Sequence, residues 1–264
     1  MTKSLAQQRF GKAAADYATS EVHAKGASLK RLIELTEPKS HWRVLDVATG
    51  AGHTALAFAP HVAKVTATDI TEEMLAETRK LAKARGLANV KTLSAKAEDL
   101  PFPDASFDLV VCRLAAHHFD SVKGFAAEAF RVLMPGGQIG IVDTIVADEA
   151  VWQAETSDDL RKLAADFEAF KKLADPSHRR CLGLIEWESV LSGAGFDILH
   201  GECLDKEMVF GPWADRMRAS SVKRTRLKEM LLAQPLRDFV ALRDTGDDVV
   251  FTLKEGIVIG QKRR

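Results

Sequence analysis

Between Arg43 and Val146 the chain alternates short apolar runs with stretches of helical spacing, and few folds accept such a pattern. The predicted strands are 43–48, 63–68, 90–94, 107–112 and 138–145, with helices between them at about 54–60, 72–85 and 121–132. Leu109-Val110-Val111-Cys112 and Ile139-Gly140-Ile141-Val142 are apolar at consecutive positions, as in strands buried on both faces. Alternation of strand and helix predicts a parallel sheet covered by helices on both sides. Residues 5–36 are predicted helical, with Leu29, Leu32, Ile33 and Leu35 at helical spacing and Pro38 closing the segment. After Asp148 the pattern changes. Trp152, Leu160, Leu163, Phe167 and Phe170 form an apolar stripe, and a helix over 186–193 ends in Ser192-Gly193-Ala194-Gly195-Phe196. Strands are predicted at 196–203 and 206–210 and helix over 212–243, and 249–253 with 256–260 reads as a closing hairpin.

The first strand, Val44-Leu45-Asp46-Val47, runs into Ala48-Thr49-Gly50-Ala51-Gly52-His53, a glycine-rich turn before a helix. Without a Cβ, Gly50 and Gly52 let the backbone turn sharply and approach a ligand closely. The second strand ends in Thr68-Asp69, where an acid can take both hydroxyls of a ribose. Gly50-Ala51-Gly52-His53-Thr54-Ala55 fits the G-x-G-x-x-G/A dinucleotide fingerprint, which alone is a weak signal. Asp46, four residues before the first glycine, decides the matter. Its carboxylate would repel a pyrophosphate and attract an ammonium group. S-adenosylmethionine (SAM) carries adenosine, a sulfonium and an amino-acid tail, and no phosphate.

Five motifs in order resemble the class I SAM-dependent methyltransferases. They are Val44 to Gly52; Thr68-Asp69-Ile70-Thr71-Glu72-Glu73-Met74-Leu75; Ala97-Glu98-Asp99-Leu100-Pro101-Phe102-Pro103-Asp104; Ser106-Phe107-Asp108-Leu109-Val110-Val111-Cys112; and Arg131-Val132-Leu133-Met134-Pro135-Gly136-Gly137. The resemblance covers roughly residues 10 to 147 and is nearest to the small-molecule enzymes of the ubiquinone and menaquinone biosynthesis type. It implies a doubly wound, Rossmann-like α/β fold: a seven-stranded, mostly parallel sheet with an antiparallel last strand. One domain over 1–264 is expected, with a core over 40–148, a helical lid over 5–36, and cap insertions over 149–182 and 212–243. It further implies SAM as cofactor, held by Asp46, Thr49, Gly50, Gly52 and Asp69, with Ile70 and Met74 beside the adenine. Lys96 and Ala97 lie where the family contacts adenine. Most members carry an acid at the Lys96 position, and lysine cannot accept a hydrogen bond. Arg113 and Leu114 open the loop after the fourth strand, which faces the methyl donor, and His117 or His118 is the candidate general base. Phe10, Tyr17 and His23 resemble the helix that covers the cofactor, and Tyr17 is the only tyrosine. Thr71 is expected to cap the following helix, leaving Asp69 to the ribose.

Equal numbers of basic and acidic side chains, 37 of each, argue against a nucleic-acid binder. The segment Trp213 to Leu232 carries Arg216, Arg218, Lys223, Arg224, Arg226 and Lys228, and reads as a solvated helix face, with an electrostatic footprint for an anionic substrate or RNA as the alternative. His178-Arg179-Arg180 reads as a solvated turn, with contact to an anionic substrate as the alternative. Three cysteines without a C-x-x-C suggest no disulfide framework and no metal site, and fit a reducing cytoplasm. No signal-peptide core and no apolar run of membrane-spanning length is expected. The leading function is methyl transfer to an O, N or C nucleophile of a small molecule, by a monomer or homodimer. The competing readings are a catalytically silent SAM-binding protein and an RNA methyltransferase, for which no N/D-P-P-Y/F motif is present. A nicotinamide oxidoreductase is disfavoured by Asp46 and by Leu100-Pro101-Phe102.

Overall fold

The computed structural model describes residues 4–18, 26–154 and 156–263, the side chains of Lys12 and Asp16 apart. Strand β1 (Arg43–Val47) shows why the sheet is covered on both faces. Val44 packs in one layer with Leu32, Phe58, Val65 and Leu109. Its neighbours Leu45 and Val47 enter the opposite layer with Val110, Cys112, Phe125 and Trp187. Successive side chains of a strand point to opposite faces, so continuous apolar runs are what a two-sided core requires.

The chain continues through a short helix α1 (Leu5–Ala18) and α2 (Ala27–Thr36) before β1, then α3 (His53–Phe58), β2 (Lys64–Asp69), α4 (Glu72–Ala84) and β3 (Val90–Ser94). It crosses back to β4 (Phe107–Arg113), α5 (Val122–Val132) and β5 (Leu133–Thr144). Then come α6 (Ser157–Ala174), α7 (Leu184–Gly193), β6 (Phe196–Val209), α8 (Phe210–Arg216), α9 (Ser221–Leu232), α10 (Leu236–Phe239), β7 (Arg243–Asp244) and β8 (Val249–Lys262). The sheet order is β3-β2-β1-β4-β5-β8-β6, with the two-residue β7 paired to the start of β8. Strands β1 to β5 pair in parallel, and β8 runs antiparallel to both neighbours. The fold is the expected Rossmann-like one, with the small β7 as an eighth strand.

The closing hairpin expected at 249–260 does not form. Val249–Lys262 is one continuous strand, pairing Thr144 with Glu255 on one side and Val209 with Val250 on the other. Residues 196–203 and 206–210 likewise merge into β6. The polar step Lys254-Glu255-Gly256 imitates a turn, but Glu255 is buried and bonded to Lys206 Nζ at 2.5 Å. A Cβ on Gly256 would meet Ile145 Cγ2 at 2.5 Å, so close packing, not a turn, accounts for that glycine.

Helices α6, α8, α9 and α10 pack with the start of β8 around a second apolar cluster that includes Phe167, Phe170, Trp213, Leu227, Phe239 and Phe251. Trp213 stacks on Phe170 with centroids 5.3 Å apart. From β1 the chain builds outward through β2 and β3, then returns to place β4 on the other side of β1. This reversal opens a crevice beyond the carboxyl ends of β1 and β4, where doubly wound sheets bind ligands.

Candidate functional site

The two lips of that crevice are bent backbones. Ala48 after β1 has φ 54° and Leu114 after β4 has φ 55°, a left-handed conformation uncommon outside glycine. Between Ala48 and α3, Gly50 has φ 55° and Gly52 has φ 87°. The two glycines do different work. A Cβ on Gly50 would meet nothing within 4 Å, so this backbone faces open space. A Cβ on Gly52 would meet Thr78 Cγ2 of α4 at 2.6 Å, so Gly52 is required by packing inside the protein.

Asp46 is buried at the end of β1, and its Oδ2 accepts from Thr49 Oγ1 at 2.5 Å and from Ala55 N at 2.9 Å. Its Oδ1 accepts no bond among the described residues. Burial pushes the acid up to about 7, against the bonds from Thr49 and Ala55. Asp69 Oδ2 accepts from Gly50 N at 2.9 Å and its Oδ1 from Thr71 N at 2.8 Å. The expected division of labour is therefore corrected: the Thr71 side chain makes no cap bond, and Asp69 both ties down the glycine turn and starts α4. A carboxylate bonds readily to the amide two residues on, and each oxygen keeps a second lone pair. Burial raises the Asp69 carboxyl as well.

Helix α1 lies over this turn. Phe10, Ala14 and Tyr17 pack with Ala51 and Met74. Gln7 Nε2 donates to Ile70 O at 2.8 Å, and His53 Nε2 donates to Tyr17 O at 2.8 Å. On its far side Arg9 pairs with Asp175 at 3.0 Å. Ala97 is buried, while Lys96 is exposed and turns toward Asp120 at 3.8 Å, on the molecular surface. His23 lies outside the described residues.

The loop after β4 brings together more than the sequence suggests. Asp143 Oδ2 accepts from His117 N at 2.9 Å, and its Oδ1 meets His117 Nδ1 at 2.6 Å. Burial pushes Asp143 up to about 6 and the His117 imidazole well below its ordinary value. At neutral pH Asp143 is thus mostly ionised and His117 neutral, with the proton on Nδ1 and the lone pair on Nε2. His118 is held differently. Its Nδ1 donates to Ser177 O at 3.1 Å, and its ring packs edge-on against Phe10 at 5.0 Å. Burial, with His117 beside it, pushes His118 down to about 3. Arg113 is buried at the end of β4, its Nε 3.5 Å from Ser28 Oγ.

His178, expected in a solvated turn, is buried, with its ring 5.5 Å from that of His117. Its Nε2 donates to Glu168 Oε2 at 2.9 Å. Arg179 and Arg180 are exposed and paired with Asp120 and Glu186, while their amides donate to His117 O. Asp175-Pro176-Ser177 has the polar composition of a solvated turn, yet its Asx-type bonds fold it inward. Glu168, His178 and Cys181 have ligand atoms within 4.8 Å of one another. Glu168 already accepts from His178 and from Cys181 N at 2.8 Å, and burial raises the Cys181 thiol well above its ordinary value. That group is built as a hydrogen-bonded brace. The basic run is mostly engaged: Lys223 donates to Ala174 O, Arg224 pairs with Asp215, and Arg226 with Glu229.

A family model described as a methyltransferase domain matches residues 45–141. An uncharacterised methyltransferase of Bacillus subtilis, YcgJ, is 32% identical over 258 residues, covering 96% of this chain and 98% of that protein. The crystal structure of a putative methyltransferase from Bacillus halodurans superposes with a TM-score of 0.82 at 32% identity, covering 90% of this chain and all of that one. A demethylmenaquinone methyltransferase of Thermus thermophilus is 38% identical over 123 residues, 45% of this chain and 56% of that protein. No helix among the described residues is long and apolar enough to cross a membrane.

Proposed function

The chain belongs to the class I SAM-dependent methyltransferases, and from that premise we propose that it transfers the methyl group to an oxygen, nitrogen or carbon nucleophile of a small molecule, with His117 as general base. The observation that carries this reading is the His117–Asp143 pair, 2.6 Å apart, beside the lip at Leu114.

The crevice suits the cofactor. Gly50 presents open backbone, Asp46 keeps Oδ1 for an ammonium, and both oxygens of Asp69 keep lone pairs for ribose hydroxyls. Bound SAM supplies an electrophilic methyl on a sulfonium. An electron pair of the acceptor would take that methyl, with S-adenosylhomocysteine as the leaving group. Thr49 orients Asp46, and Met74 and Ile70 flank the adenine. Tyr17 closes the crevice from α1, and Ala97 keeps its amide toward the ring. Lys96 contributes no adenine bond, because it turns to Asp120. His117 Nε2 takes the proton that the acceptor loses, and the ionised Asp143 stabilises the imidazolium that results. We assign His118 a packing role between Phe10 and Ser177. We take the acceptor to be a small molecule, because Lys223, Arg224 and Arg226 of the basic run are engaged within the protein. Three cysteines without disulfides suit a reducing cytoplasm.

Calorimetry with S-adenosylhomocysteine, followed by turnover of methyl-labelled SAM on a metabolite panel and on RNA, tests the reading. Replacing His117 by Ala is expected to lower turnover about 10²–10⁴-fold with unchanged cofactor affinity. Label transfer to RNA alone, or full turnover in His117→Ala, rules it out.

A further inference from the structure

Two carboxylate–imidazole pairs stand side by side next to the lip of β4. His117 is paired with Asp143 at 2.6 Å and His178 with Glu168 at 2.9 Å, and the two rings lie 5.5 Å apart, tilted by 39°. Asp143 touches the base directly. Glu168 belongs to α6 of the cap, where Phe167 and Phe170 are fully buried and fix the helix in place.

Glu168 reaches His117 through the chain that follows α6. One of its oxygens accepts from His178 Nε2 and the other from Cys181 N at 2.8 Å. Between these two grips, the amides of Arg179 and Arg180 donate to His117 O at 2.8 and 3.2 Å. The carbonyl of the base is therefore clasped by the two residues that Glu168 brackets. Their side chains run to Asp120 and Glu186 in exposed pairs, which water and salt weaken. Lys172 Nζ adds a bond to His178 O at 2.5 Å. Outside the bracket, Ser177 is tied to Asp175, and Leu182 O accepts from Val146 N at 3.1 Å.

The His178 ring shows how firmly the bracket holds. It is 1% exposed, and its Nδ1 has no hydrogen-bond partner among the described residues. A buried nitrogen without a partner is costly. The bond to the Glu168 carboxylate, strengthened by charge, offsets that cost.

We propose that Glu168 is a positioning residue for methyl transfer: from the cap it fixes the segment that clasps His117, and so sets where the base points. This rests on His117 being the base of the methyltransferase reading, and adds a residue of the cap to it. Asp143 selects the tautomer of the ring, and Glu168 steadies the backbone from which the ring hangs.

The test is imidazole NMR at neutral pH on the whole protein, with histidines labelled with ¹⁵N and S-adenosylhomocysteine at saturation. In wild type the His117 Nδ1 proton should appear at low field and exchange slowly with water. In Glu168→Ala its exchange should quicken about tenfold or more, as when a charge-assisted bond is lost. His178→Phe, which keeps the ring but not the bond, should act in the same direction and decides the matter if Glu168→Ala does not fold. Glu168→Gln should restore the His117 signal, since its oxygen still accepts from Cys181 N and its amide can donate to His178 Nε2. The His178 proton should then move to Nδ1. Asp166→Asn, on the exposed side of α6, should resemble wild type. The proposal fails if His117 exchange is unchanged in a folded Glu168→Ala or His178→Phe protein, or if Asp166→Asn quickens it equally. It fails too if Glu168→Gln behaves as Glu168→Ala does, because charge rather than grip would then govern His117. Loss of S-adenosylhomocysteine affinity in Glu168→Ala, measured by calorimetry, would also overturn it by showing that Glu168 supports the whole crevice. Wild type that binds no S-adenosylhomocysteine would overturn the methyltransferase reading instead, and the same signals recorded without it still decide whether Glu168 holds His117.

Discussion

Asp46 carries both of its protein bonds on Oδ2, and burial lifts its acid to about 7. An ammonium at Oδ1 favours the ionised form, so cofactor binding expels a proton from whatever fraction is protonated. Affinity for S-adenosylhomocysteine should therefore rise with pH through about 7 and level off above it. Calorimetry in buffers of different protonation enthalpy should register the released proton, and Asp46→Asn should abolish it. A flat profile would remove Asp46 from the ammonium site. The glycines give a second contrast. Gly50→Ala meets open space, and its left-handed backbone costs about 1–2 kcal/mol, while its methyl group enters the face offered to the cofactor. Gly52→Ala strikes Thr78 and should lower the melting temperature more. Tighter product-cofactor binding in Gly50→Ala than in wild type would contradict the assignment. Asp46, Gly50, Gly52 and Asp69 could be read from the sequence because they share one stretch of two strands and a turn. Asp143 and His178 could not, since β5 and the 175–181 segment reach His117 only through the fold.

The fastenings of helix α1 include Gln7 to Ile70 O, Arg9 to Asp175, and the Tyr17 carbonyl to His53. Among the described residues Arg9 joins it to the cap side of the crevice, pairing with Asp175 and lying 3.5 Å from Met217 Sδ. A partly exposed ion pair of this kind contributes about 1 kcal/mol or less, so Arg9→Gln should leave the melting temperature nearly unchanged. It should instead raise amide exchange over residues 5–18 and speed release of S-adenosylhomocysteine. Unaltered exchange in that segment would show that the apolar contacts of Phe10 and Tyr17 hold the helix alone. At this scale the sequence was clearest where periodicity and burial agree, as in β1, β4 and α4. It misled where one polar step sits inside a buried strand. Lys254-Glu255-Gly256 has the composition of a turn, and only the facing Lys206 and the neighbouring Ile145 reveal it as strand interior.

Burial sets the acid response of the molecule as a whole. His53, His117 and His118 all hold their imidazoles below the ordinary value, chiefly by desolvation. Unfolded, they take up protons near pH 6.5, so the stability they contribute is present above that value and is lost as pH falls below it. Asp46 and Asp143, raised to about 7 and about 6, act oppositely and reduce stability as pH rises from about 4 toward those values. Comparing wild type with His118→Gln isolates the histidine contribution. The variant should lose less melting temperature between neutral and mildly acidic pH, and an identical slope would mean that His118 is hydrated in solution. The long β8 has a different kind of consequence. It lies between β5 and β6, yet it is the last of the strands to be synthesised. Until Val249–Lys262 leaves the ribosome, β5 and β6 each present a bare edge open to foreign strands. At about 5–20 residues per second that interval lasts several seconds after β6 emerges, and it is when the nascent chain has most need of a chaperone.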